Sequence, residues 1–557
     1  MAQRNDDYEK RWTPGARRTG GQKQLGFTLC AATVKYPIDW MKRLLDVMGE
    51  LGYTQLLWEC KVALPRVESF PSWPYYTIEE AQEITAWASA RGIEVIPEIN
   101  APAHMGIWLS AFPEFAITNA HGEKDVERLD FVRDDAVHFY ENIINEYLEI
   151  FPGKYWHMGA DEFDYRATFS DYPHIDAFAQ QMYGIDATGH DAFIAFINRI
   201  NEFVKSKGRT LRIWNDGLRE TNVVHLDQDV VIEYWLRRGI DAQTLVDRGY
   251  TVMNSPQYLY HSRSVPFYGI RTSELYSGEN WDLHAFDAGP IEDGGIVGEG
   301  TGVSEISPLG SPVVFRDSSQ LEGIKVSLWP DEASCQTDRS ALDEMRVALA
   351  YVAHIAAGGG REWNTWGSAQ AEFADRTASL SLRRWRRDGD TLQGLFACEA
   401  LSQLGSGPWR IALTEDGYFT LTDTASGGRL TLDRRKTILG VINERGARAR
   451  LCDPAPAAGA REDGSGAYNR QKWDIIPDGE AGNVRLFPAL THMQLSSVDL
   501  AQYPPDQPRR AEEDVHEQAD GQKHEEEFGK QNGKQNGKGD EPAGDPPFIL
   551  HRLPVQN

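Results

Sequence analysis

The feature that most constrains this chain is an alternation. Between residue 25 and about residue 365, short β-rich runs take turns with longer amphipathic stretches. The runs are LGFTLC (25–30), TQLLW (54–58), IEVIPEI (93–99), YWHMG (155–159), LRIWND (211–216), VVIEYW (230–235), YTVMNS (250–255) and IKVSLW (324–329). Segments with helical periodicity lie between several of them, among them PIDWMKRLLDVMGELG, TIEEAQEITAWASARG and DDAVHFYENIINEYLEIF. Pro37 stands near a helix start, and Gly52 and Gly92 stand where helices end. Eight such repeats predict an α/β chain with a (β/α)8 TIM barrel over residues 25–370, preceded by an extension over 1–24. A doubly wound open sheet is the competing fold.

Beyond the barrel the texture changes. GLFACEA, WRIALT, GYFTLTD, GRLTL, KWDII and VRLFPAL are short strands between Gly, Asp and Pro turns, so residues 380–503 read as an all-β accessory domain. NRQKWDII and GYFTLTD resemble the repeat of ricin-type β-trefoil lectins, with one Q-x-W at Gln471 and Trp473; a plain β-sandwich is the other reading. Residues 504–547 are polar, repetitive and almost without apolar side chains, so disorder is expected there. FILHRL within 548–557 has the composition of a strand returning to the β domain.

Charge and cysteines narrow the partners. The formal net charge is −26, which argues against nucleic acid and against an anionic membrane surface. No apolar run reaches the length of a membrane span. The first residues lack the apolar region of a secretory leader. Five scattered cysteines form no CxxC pair and suggest free thiols, so the expected setting is reducing and cytoplasmic. Nothing in the sequence bears on oligomeric state. Sixteen tryptophans fit either a large aromatic core or surfaces that stack on sugar rings.

In a barrel, chemistry gathers at the C-terminal ends of the strands. Asp161 and Glu162 follow the fourth run directly, within KYWHMGADEFDY. Trp214, Trp235 and Trp329 end the fifth, sixth and eighth runs, which predicts an aromatic-lined pocket on that face. Adjacent carboxylates suit two unlike tasks, because neighbouring acids in different surroundings acquire different pKa values. A buried structural pair or a metal site is the alternative.

HMGADE resembles the H-x-G-(A/G)-D-E motif of glycoside hydrolase family 20, the β-N-acetylhexosaminidases. VIPEINAPAH (95–104), YLY (258–260) and LWPD (328–331) are similar to that family's third, seventh and eighth strand ends, in the same order. The resemblance spans the barrel and not the β domain. It implies a retaining exo-hydrolase that removes terminal β-linked N-acetylglucosamine or N-acetylgalactosamine, without metal or organic cofactor. In such substrate-assisted enzymes the nucleophile is the sugar's own 2-acetamido oxygen.

Glu162 would then be general acid and base, and Asp161 would orient the acetamido group. The resemblance also implies that His104 contacts Glu162 and that Tyr258 bonds the acetamido carbonyl. Trp214, Trp235 and Trp329 would wall the pocket, and Asp331 would bind sugar hydroxyls. His157, Asn100 and Asp216 would support these from behind.

Three departures concern the terminal sugar. Thr33 aligns where the family carries a first-strand arginine, Asn100 replaces the aspartate of EID, and LWEC, with Glu59, stands for His-Trp-His. Glu59 would take over part of the lost sugar contacts. The altered pocket leaves two alternatives open: disaccharide release, as by a lacto-N-biosidase, or a non-catalytic glycan-binding barrel.

Overall fold

The computed structural model describes residues 23–65, 75–164, 168–221, 223–236, 238–263, 318–330, 336–360, 362–380, 393–402, 404–433, 448–455, 468–477 and 483–490, residue 495, and short pieces within 270–286 and 548–552. The expectations for Asp331 and for residues 504–547 fall outside the described residues.

The eight runs form a closed parallel barrel. Its strands are β1 (Gln24–Cys30), β2 (Gln55–Glu59), β3 (Glu94–Ala101), β6 (Tyr155–Gly159), β7 (Thr210–Trp214), β8 (Val231–Tyr234), β9 (Thr251–Asn254) and β11 (Leu321–Trp329). They pair in that order, and β11 closes on β1 from Gln24↔Gly323 to Leu29↔Leu328. Both faces of each strand are covered, one by helices and one by the barrel interior, so β2 is buried at all five residues. This is why the runs read as continuous apolar stretches.

The helices follow their sequence signals. In α1 (Ile38–Leu51), Trp40, Met41, Leu44, Leu45, Val47, Met48 and Leu51 form one buried face. Gly52 ends it with φ 80, a left-handed turn that glycine adopts without a Cβ penalty. Thr77 and Glu80 form a reciprocal capping box that starts α2 (Ile78–Ser89).

Two features depart from simple alternation. After β3 comes α3 (Gly106–Ala111), then a hairpin of β4 (Ala116–Thr118) and β5 (Lys124–Leu129), and only then α4 (Asp134–Ile150). The seventh barrel position is also split. The chain leaves β9 at Asn254, makes a tight turn over Gln257–Leu259, and resumes as β10 (Tyr260–Ser262) beside Ser327–Trp329.

The C-terminal strands β12 (Gly394–Ala397), β13 (Trp409–Leu413), β14 (Phe419–Asp423), β15 (Arg429–Asp433), β16 (Arg448–Cys452), β17 (Trp473–Pro477) and β18 (Asn483–Pro488) form one antiparallel sheet. From the chain end, β19 (Phe548–Ile549) adds to β18 and β20 (His551–Arg552) to β12. The Q-x-W pair is internal to this sheet. Gln471 bonds Thr431, Asp453 and the Ala455 amide, and the Trp473 indole donates to the Leu430 carbonyl.

The β domain joins the barrel through buried polar contacts. Arg339, on α5 (Asp338–Ala356), reaches Asp474 at 3.4 Å and lies 4.0 Å over the Tyr418 ring. Arg263, just past β10, donates to the Leu490 carbonyl.

Candidate active site

The end of β6 is where the backbone is most constrained. Gly159 has φ 71, and Ala160 and Glu162 follow at φ 65 and 51. With His104 at φ 55, these last two are the three non-glycine residues with positive φ among the described residues. Such conformations cost about 1–3 kcal/mol each and persist only where the surroundings impose them. Here they turn two successive carboxyls toward one imidazole. His104 Nε2 lies 3.3 Å from Glu162 Oε2 and 3.5 Å from Asp161 Oδ2.

The two acids stand in different surroundings. The Asp161 side chain is 15% exposed and that of Glu162 28%. Burial pushes the Asp161 carboxyl well above the usual range, with His104 opposing and Asp216 and Glu162 adding to the rise. Burial of the His104 ring disfavours its charge, but Asp161 and Glu162 outweigh that and raise it to about 10. The imidazole thus sits between the two acids, within reach of both.

Asp216, beyond the end of β7, ties the acid loop to the aromatic wall. One oxygen accepts the Glu162 amide at 2.9 Å and the other the Trp235 indole at 2.8 Å. Burial and the nearby Glu162 raise its pKa to about 6. Trp214, Trp235 and Trp329 form one apolar cluster. Trp329 lies 6.1 Å from Trp214 and 5.5 Å from Tyr260, whose ring stacks on Trp235 at 6.0 Å.

Tyr258 packs in the main barrel core, while Tyr260 faces the wall, within the field of Asp161. The split of the seventh strand explains this: Tyr258 lies in the turn, and Tyr260 opens a strand in register with Ser327.

His157 is fully buried beneath the site. Burial, together with Lys325 and Arg212, lowers it to about 3 against the pull of Glu233, so the ring is neutral. It accepts the Gly159 amide and touches Glu98 at 3.1 Å. Glu98 carries the Trp214 indole at 2.8 Å, and burial with Glu59 pushes its carboxyl well above the usual range. Below them, Glu233 takes ion pairs from Arg212 and Lys325 in the barrel centre. Charged residues inside apolar strand runs (Glu98, Arg212, Glu233, Lys325) were a readable sign of this network.

At the ends of β1 and β2, Glu59 accepts the Cys30 thiol at 2.9 Å and lies 3.7 Å from the Lys61 ammonium. Among the described residues, Asn100 Oδ1, Asp161 Oδ1 and Trp329 Nε1 are buried without a hydrogen-bond partner. No group of three or more His, Cys, Asp or Glu among the described residues is arranged to hold a metal ion. No described helix is long and apolar enough to cross a membrane.

Residues 42–333 match the model of the glycosyl hydrolase family 20 catalytic domain. The chain belongs to glycosyl hydrolase family 20. It is 35% identical over 479 residues to a lacto-N-biosidase of Bifidobacterium bifidum, covering 85% of this chain and 41% of that protein. It is 28% identical over 244 residues to β-hexosaminidase subunit A1 of Dictyostelium discoideum, covering 41% of this chain and 44% of that one. The chain thus spans about two fifths of the length of these curated relatives. Among solved structures, a family 20 exo-β-N-acetylglucosaminidase from Vibrio harveyi aligns with TM-score 0.48 and 18% identity, covering 65% of this chain and 58% of that one.

Proposed function

We propose that this chain hydrolyses β-glycosides bearing an N-acetylhexosamine beside the scissile bond, by substrate-assisted catalysis with retention. The observation that carries this is the pair of unlike carboxyls sharing one imidazole. The deeper acid, Asp161, accepts the substrate's acetamido N–H and faces the positive charge that develops on the ring formed next. The more exposed acid, Glu162, protonates the departing glycosidic oxygen. The acetamido carbonyl oxygen attacks the anomeric carbon as that bond breaks, giving an oxazolinium ion. Glu162, now ionised, takes a proton from water, which opens the ring from the face the leaving group left. Two inversions give retention.

Tyr260 is the phenol we assign to the acetamido carbonyl, and Trp214, Trp235 and Trp329 enclose its methyl group. His104 holds the acids in place and stabilises negative charge on Glu162 once the proton has gone.

For the released unit we favour a disaccharide. Thr33 replaces the family's arginine in the alignment, and Glu59, with its Cys30 and Lys61 contacts, replaces its His-Trp-His run, so the usual grip on a single terminal sugar is altered. The alignment with the lacto-N-biosidase also extends over most of this chain. Release of one sugar is the second reading, favoured by the matches to β-hexosaminidases.

The test compares 4-nitrophenyl β-lacto-N-bioside with 4-nitrophenyl β-N-acetylglucosaminide. Cleavage of the first at far higher kcat/KM supports the disaccharide; the reverse ratio replaces it with single-sugar release. Glu162→Gln should lose about 10²–10⁴-fold in kcat on substrates with poor leaving groups. Activity should survive chelation by EDTA. Binding of these glycosides without turnover would instead establish a glycan-binding barrel.

A further inference from the structure

The hairpin between β3 and α4 is not required to close the barrel. Its last three residues nevertheless bond to both loops that carry the reacting groups. The Leu129 amide donates to the Pro102 carbonyl at 2.7 Å, and the Glu127 carbonyl accepts the Met105 amide at 3.1 Å. These two bonds bracket His104. Between them in sequence, Arg128 Nε donates to the Phe163 carbonyl at 2.9 Å, one residue beyond Glu162. Glu127, Arg128 and Leu129 thus join the His104 loop to the Glu162 loop.

Arg128 is itself held. Its Nη1 donates to Asp125 at 2.8 Å, and the same Asp125 oxygen accepts the Tyr172 hydroxyl at 2.6 Å. Its guanidinium lies 5.8 Å over the Phe163 ring, and its side chain is only 13% exposed. The Glu127 carboxyl lies in the space beside Gly106. These contacts meet two backbones, at His104 and Glu162, that hold left-handed conformations and would relax if released.

We propose that Arg128 is a positioning residue for proton donation, and that the hairpin Ala116–Leu129 is a brace fixing the Glu162 carboxyl against His104. The inference rests on the reading of Glu162 as general acid. A displaced acid handicaps departure of a poor leaving group most, because a good one departs with little proton transfer. A shift of about 1 Å in a reacting group can cost about 10²-fold.

The experiment measures kcat and KM of the wild type, Arg128→Gln, Arg128→Lys and Tyr172→Phe on two glycosides of the same sugar. One carries 4-nitrophenol as leaving group and the other methanol. The brace predicts that Arg128→Gln loses about 10–100-fold in kcat on the methyl glycoside and at least several-fold less on the nitrophenyl glycoside. KM should stay nearly constant. Arg128→Lys should recover part of the loss, and Tyr172→Phe should show a smaller loss with the same substrate dependence. If Arg128→Gln does not fold, the other two variants decide on the same criterion. Equal losses on both glycosides, or none, overturn the brace while leaving the acid in place, provided Glu162→Gln shows the leaving-group dependence. A wild type inert on both glycosides overturns the reading of the site and the brace with it.

Discussion

Asp161 and Glu162 are one bond apart in the chain and differ in what surrounds them. Asp216 is the residue that makes the second position hold. Both its oxygens accept only when it is ionised; a proton on either removes one acceptor, from the Glu162 amide or the Trp235 indole. Its pKa is raised to about 6, so kcat/KM should fall as pH drops through that value. Asp216→Asn should flatten this acidic limb and lower kcat by about tenfold, the loss of one to two kcal/mol typical of a bond to a buried group. A pH–rate profile of both proteins checks it.

For stability the sign is opposite. A carboxyl whose folded pKa is raised contributes fully below its ordinary value near 3.8, and that contribution is lost as pH rises through about 6. His104, raised to about 10, contributes below about 6.5 and loses that contribution as pH rises toward 10. Its side chain is 41% exposed, so water screens the effect.

At the scale of an element, the strand ends matter more than the strands. Gly159 closes β6 at φ 71, and a Cβ there would land on the Asn100 side chain and its backbone. Gly159→Ala therefore combines left-handed strain with a collision against a pocket residue. It should destabilise the fold by about 1–3 kcal/mol and weaken substrate binding. Denaturant unfolding and KM on the preferred glycoside would show both. An alanine variant with wild-type stability would show that β6 can end differently.

The split seventh position is a second case. Its turn sends Tyr258 into the core and delivers Tyr260 to the wall. YLY was visible in the sequence, but the choice between two tyrosines two residues apart was not. A strand would have placed both on one face; the turn separates them.

For the whole molecule, the barrel and the β domain share a polar interface with almost no solvent access. The Arg339 and Asp474 side chains are 3% and 2% exposed. Arg339 also donates to the Gly417 carbonyl, and Tyr418 donates to Asp338. Removing one partner of such a pair leaves the other buried and uncompensated, at about 3–5 kcal/mol. Arg339→Ala should lower the melting temperature measurably and let the β domain melt before the barrel. Calorimetry should show one transition in the wild type and two in the variant. A single unshifted transition in the variant would mean that the interface contributes little.

The sequence by itself determined the barrel, because eight apolar runs spaced by amphipathic helices have few other ways to bury both faces. It also determined which chemistry to look for, since HMGADE places two acids at one strand end and PAH places a histidine at its neighbour. Tertiary structure alone decided the rest. Which tyrosine faces the wall depends on a break in hydrogen-bond register. The pairing of Asp216 with Glu162, 54 residues apart, follows from adjacent strand ends. The clamp from Arg128 to the acid loop arises because an inserted hairpin folds back over a neighbouring loop. These are contacts between segments distant in sequence, and local pattern carries no record of them.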